Sequence, residues 1–101
     1  MPHDVYQNQT VNLVYELTFI DSLGKMMKPE VSSGSFMLVG PSGEVIVPLS
    51  PLSITSPNIG AFKIRPTSGT ATIGVYKEIY EFFTDGQSFP NVDTLTVRER
   101  I

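Results

Sequence analysis

Few residues in this chain have the type and spacing to carry chemistry. His3 is the single histidine. A proton shuttle or metal ligand needs a packed set of partners to hold its ring. The polar start Met-Pro-His-Asp instead puts His3 in an N-terminal arm, so the expectation is a solvent-exposed side chain. Gly40-Pro41-Ser42-Gly43 has the glycine content of a phosphate loop. No Lys-Ser or Lys-Thr follows it, and a strand-like segment stands where a phosphate cradle needs a helix N-terminus, so it reads as a turn. Asp21, Asp85 and Asp93 offer the oxygens that calcium takes, at a spacing that matches no calcium loop. Each reads as a turn cap. The chain has no cysteine, which excludes disulfides, thiolate metal sites and a cysteine nucleophile. General acid–base catalysis needs convergent groups of tuned pKa. Nothing of that kind stands out, so the expectation is a protein that is not an enzyme, with no catalytic, cofactor-binding or metal residues and no cofactor.

Surface contact is the better-supported chemistry. Met26 and Met27, flanked by Lys25 and Lys28, are adaptable apolar side chains on a connecting segment and suit a subunit contact. Pro48, Pro51 and Pro57 lie in a stretch that cannot serve as an interior strand, and such edge segments can be buried against a neighbour. Val14 and Ile20 interrupt what should be a polar strand face, and Arg98 and Arg100 belong to a tail that can dock. The aromatic group Tyr76, Tyr80, Phe82, Phe83 and Phe89 has another use. Alternation buries Tyr80 and Phe82, and leaves Phe83 and Phe89 as the candidate ligand face of a carbohydrate- or cell-surface-binding module. Asn8-Gln9-Thr10 matches the N-glycosylation triplet, which matters only in a secreted eukaryotic chain. The N-terminus lacks the basic and then apolar pattern of a secretory leader, and the start at Met1 suggests a complete small gene product.

The element that must position the rest is residues 10–20, T-V-N-L-V-Y-E-L-T-F-I. Val11, Leu13, Tyr15, Leu17 and Phe19 share one face at period two, and Thr10, Asn12, Glu16 and Thr18 share the other. Its β-branched and aromatic content favours one long half-buried strand over a helix. A short strand over residues 4–7 precedes it, and Asp21-Ser22-Leu23-Gly24 turns the chain after it. Residues 25–29 read as a connection or short edge segment. Residues 31–39 and 44–47 form a hairpin about Pro41-Ser42-Gly43, with Gly34 marking a bulge or a close backbone approach. Residues 53–56 are the best strand candidate in the proline-rich stretch. Residues 59–65 follow, with Phe62 and Ile64 inward and Lys63 and Arg65 outward, and then a turn at residues 67–70. The run 71–82 reads as a strand with a bulge near Lys77, because Gly74 opposes a helix. Asp85-Gly86 marks a hairpin, and residues 93–98 close the set with Leu95 and Val97 inward.

These lengths and turns fit one all-β domain over residues 1–101, with a short N-terminal arm and a C-terminal tail. About seven short antiparallel strands predict an Ig-like β-sandwich, with a small β-barrel as the alternative. A chain of 101 residues with 41% apolar and 17% charged content can bury one core without staples. The net charge of −3, with seven basic residues spread along the chain, argues against nucleic acid as a partner. No apolar run reaches membrane-spanning length, so no membrane partner is expected.

The order of features resembles that of small immunoglobulin-like virion proteins of tailed bacteriophages. The carrying elements are the turn Asp21 to Gly24, the Pro41 to Gly43 hairpin, Gly60-Ala61-Phe62-Lys63-Ile64, the run from Tyr76 to Phe83 and the closing Asp93-Thr94-Leu95-Thr96-Val97. The cysteine pair and core tryptophan of antibody domains are absent. The resemblance implies a structural part of a virion, on the capsid as a decoration protein or at the neck. Its partners would be other virion proteins and copies of itself, and it would assemble in the host cytoplasm.

Overall fold

The computed structural model describes residues 3–64 and 72–99, apart from the side chain of Phe19. Arg65, the turn at residues 67–70, Ala71, Arg100 and Ile101 lie outside the described residues. Among the described residues ten strands account for the regular structure: β1 (His3–Tyr6), β2 (Val11–Glu16), β3 (Phe19–Ile20), β4 (Met26–Met27), β5 (Ser33–Val39), β6 (Val45–Pro51), β7 (Ser53–Ser56), β8 (Ile59–Ile64), β9 (Gly74–Thr84) and β10 (Gln87–Arg98). Five of them form a sheet in the order β1-β10-β9-β5-β6, three form a second sheet in the order β2-β8-β7, and β3 and β4 make a separate two-stranded ribbon. The core lies between the first two sheets. Val11, Leu13, Tyr15 and Ile64 from the three-stranded sheet meet Phe36, Leu38, Val47, Tyr76, Phe82, Leu95 and Val97 from the five-stranded one. This is an Ig-like β-sandwich, and its two distinct sheets set aside the barrel.

The long strand expected over residues 10–20 is two strands. Residues 11–16 alternate buried and exposed as their sequence dictates, in antiparallel register with β8 from Val11↔Ile64 to Glu16↔Ile59. The ladder stops there because β8 begins at Ile59. Leu17 then exchanges bonds with the neighbouring turn, its N–H donating to Asn58 O at 2.9 Å and its carbonyl accepting from Asn58 Nδ2 at 3.2 Å. The chain resumes as β3, which pairs β4 through Phe19↔Met27 and Ile20↔Met26. Asp21 organises the turn between them: its Oδ1 accepts from the N–H groups of Leu23 and Lys25, both at 2.9 Å, and Gly24 takes φ of 79°.

Other local expectations are refined by the register. No bulge occurs near Lys77, where β9 pairs β5 and β10 without interruption. The irregularities fall instead between β5 and β6, opposite Met37, and between β7 and β8. Pro48 and Leu49 occupy the first of these, which is how an edge strand accommodates proline without losing a ladder bond. Gly34 marks a close approach: the Leu52 N–H donates to its carbonyl at 2.9 Å, and a Cβ there would lie 2.8 Å from Leu52 Cδ1. β10 starts six residues before the expected strand. Pro90 is tolerated in it because β1 covers only Leu95–Arg98, leaving Pro90 on a free edge. The first strand begins at His3 and runs parallel to β10, in register His3↔Leu95 through Tyr6↔Arg98. Arg98 Nε secures that pairing from outside by donating to Asp4 Oδ1 at 2.8 Å.

The alternation of β2 gives a direct test. Leu13 is fully buried, whereas its neighbour Val14 is more than half exposed on the outer face. Leu13→Ala should lower stability by about 2–5 kcal/mol. Val14→Ala should stay within about 0.5 kcal/mol of the wild type. Urea unfolding midpoints read both, and equal losses at the two positions would contradict this placement.

Candidate functional site

β9 brings a charge into the core. Its inward residues are Tyr76, Glu78, Tyr80 and Phe82, so the same period that buries three aromatics also buries Glu78, which is 0% exposed. An ionised carboxylate in such surroundings must be hydrogen-bonded and paired. Both oxygens are served. Tyr15 Oη donates to Glu78 Oε1 at 2.5 Å from the opposite sheet, and His3 Nδ1 hydrogen-bonds Glu78 Oε2 at 2.7 Å from β1. The pairing Asp93↔Glu78 places a second carboxylate beside the first on the same sheet face. His3, Glu78 and Asp93 each present a ligand-type atom, and those atoms lie within 4.8 Å of one another.

Aromatic rings wall the cluster. Tyr15 stacks on Tyr80 with ring centroids 3.8 Å apart, and the edge of the His3 ring meets Tyr15 at 6.2 Å. Phe36 continues the stack to Phe62 at 4.5 Å. Burial raises the Glu78 pKa, the hydrogen bonds from Tyr15 and His3 and the charge of His3 oppose that, and the Asp93 charge adds to it, leaving the net direction upward. Burial is also the main reason the Tyr15 hydroxyl is pushed far above the ordinary phenol range, with its bond to Glu78 adding to the effect. Tyr80 is raised by burial and by the charges of Asp93 and Glu78. Tyr15 therefore acts here as a hydrogen-bond donor.

His3 thus departs from the expected exposed arm. It is in phase with Val5 on a strand whose inner face meets the core, and the buried carboxylate holds its ring. Asp93 departs from a turn-capping role, since it lies inside β10 and faces the cluster. Asp21 does cap its turn, and Asp85 lies in the β9–β10 turn. Phe83 and Phe89 do not form one ligand face. Phe89 stands opposite Phe82 and packs against the core, whereas Phe83 points to the other side of the sheet. In the sequence, the aromatic load of the run masks Glu78. The available signal was a lone acid in phase with Tyr76, Tyr80 and Phe82.

The candidate contact residues fall in separate places. Met26, Met27 and Ile20 come together on the β3–β4 ribbon, and Pro57 stands near its base, where the Pro57 carbonyl accepts from Val31 N–H. Pro48 and Pro51 are exposed on the β6 edge, and Val14 is on the outer face of β2. Arg98 is exposed and engaged by Asp4. The tip residue Leu23 is the most open large apolar side chain among the described residues, at 91% exposed, with Ile20 at 69% and Met26 at 61%.

Because the folded protein holds a proton on Glu78 more tightly than the unfolded chain, unfolding releases that proton across the window from the ordinary value of 4.5 up to the raised folded value. Stability contributed by protonated Glu78 is full below that window and is lost as pH rises through it. Glu78→Gln keeps the shape and removes the ionisation. The melting temperature of the wild type relative to this variant should fall as pH rises from about 4.5 in chelator-treated buffer. A difference that stays constant or grows with pH would contradict the raised value.

No family model and no curated protein matches this chain. Among solved structures it is similar to the fibronectin(III)-like modules of Clostridium thermocellum CbhA, at 12% identity and a TM-score of 0.52, over 100% of this chain and 93% of that one. At that identity the likeness is one of fold, a sandwich of the immunoglobulin kind.

Proposed function

We propose that the protein is a non-enzymatic structural component of a tailed-phage virion, a capsid decoration or neck protein that works through subunit contacts. The observation that carries this reading is the β3–β4 ribbon, a two-stranded projection whose Ile20, Leu23 and Met26 side chains stand in water. An isolated ribbon of this length gains little by itself. Burying each large apolar side chain against a neighbour would stabilise an interface by about 1.5–3 kcal/mol. Lys25 and Lys28 flank the methionines and supply a charged rim. The virion setting rests on the resemblance in the order of turns and strands, and the partners are other virion proteins and copies of this chain. The carbohydrate- or cell-surface-binding reading is the weaker one, because Phe83 and Phe89 lie on opposite faces of one sheet.

Co-sedimentation with purified capsids of the encoding phage tests the proposal. The wild type should pellet with the particles, and a Leu23→Ser, Met26→Ser double variant should remain in the supernatant with an unchanged melting temperature. Absence of pelleting by the wild type, or pelleting indifferent to the double variant, would overturn the role of the ribbon. A specific glycan-array signal without particle binding would favour the ligand-binding reading instead.

A further inference from the structure

We propose that His3, Glu78 and Asp93 form a binding site for a divalent transition-metal ion of the zinc type, which staples the first strand to the end of the five-stranded sheet. Three strands deliver these ligands through backbone register. Glu78 and Asp93 are a directly opposed pair on β9 and β10, and His3 enters beside them because β1 is parallel to β10 and starts opposite Leu95. All three side chains therefore face the same side of the sheet.

The donor atoms already have nearly the right spacing. Zinc binds imidazole nitrogen and carboxylate oxygen at about 2.0–2.2 Å, which sets neighbouring ligand atoms on a tetrahedral ion about 3.3 Å apart. His3 Nδ1 and Glu78 Oε2 are 2.7 Å apart, and the whole group spans at most 4.8 Å. Bringing these separations to the tetrahedral spacing changes each of them by at most about 1.5 Å. Glu78 is also held as a ligand should be, since Tyr15 Oη donates to its other oxygen and fixes the plane of the carboxylate.

Charge favours the same occupant. A metal ion that displaces the protons of these groups meets two carboxylates and an imidazole in a half-buried site, and a divalent cation cancels the two negative charges. Like charges directly opposed on one sheet face otherwise oppose pairing. One nitrogen and two oxygens, with no sulfur, suit zinc, cobalt(II) or nickel(II) better than copper(I), and three ligands including an imidazole are a poor match for calcium, which takes six to eight oxygens. Because His3 and Asp93 are only partly buried, a fourth position can open to water.

Isothermal titration of the chelator-treated, tag-free protein with ZnCl2 at pH 7 tests the site. One equivalent should bind with a Kd in the micromolar range or tighter and raise the melting temperature, while CaCl2 and MgCl2 should not. Cobalt(II) should give visible d–d absorption, and zinc should shift the NMR ring signals of His3. His3→Ala and Asp93→Asn, both outside the fully buried core, should each weaken zinc binding at least tenfold and still melt cooperatively. The proposal is overturned if zinc produces neither heat nor a melting shift, or if it binds both variants as well as the wild type.

Discussion

The constraint on which this sandwich depends is the burial of one carboxylate. Glu78 is placed in the core by the same alternation that supplies Tyr76, Tyr80 and Phe82, so the strand cannot bury its aromatics without burying the acid. Satisfying that acid recruits a hydroxyl from the facing sheet and an imidazole from the first strand. The bonds are local, but what they join is not: β9, β2 and β1 belong to different parts of the chain and to both sheets. Removing one member of such a group leaves a buried polar atom without its partner, which is costlier than never having placed it there.

The same feature helps to hold β1 in place. Four residues of parallel pairing, an exposed Asp4–Arg98 ion pair and the half-buried Val5 are a modest anchor for a terminal strand. The His3 contact with the buried Glu78 adds a directional bond at the far end, so β1 is held at its first residue and just beyond its last, where the Gln7 N–H donates to Arg98 O at 2.7 Å. The β3–β4 ribbon has the opposite character. Its turn is well determined by Asp21 and Gly24, yet Ile20, Leu23 and Met26 face outward, so this turn owes more to its own chemistry than to packing.

Much of the fold is legible from residue order alone, and the reasons differ by element. The alternation from Val11 to Glu16, the Pro41-Ser42-Gly43 hairpin and the Asp85-Gly86 turn are short-range effects, written in neighbouring residues. The break after Glu16 is not short-range, because it depends on where β8 begins. The early start of β10 likewise depends on how little of it β1 covers, since Pro90 would be excluded from a strand paired on both sides. His3 shows the limit most clearly. Its partner is 75 residues away, and a polar residue near a chain start looks the same in sequence whether it lies in water or closes a core. Periodicity names the face on which a side chain stands and is silent about what stands across from it.

The parallel pairing of β1 with β10 also bears on how the domain answers force. Tension drawn out of the beginning of β1 and the end of β10 runs along the two strands in opposite senses. The backbone bonds between them are then loaded together, in shear, whereas an antiparallel terminal pair would be peeled one bond at a time. A sandwich closed in this way has a mechanical clamp where its outermost strands meet, with the His3–Glu78 contact at one end of that clamp and the Asp4–Arg98 pair along its outer side.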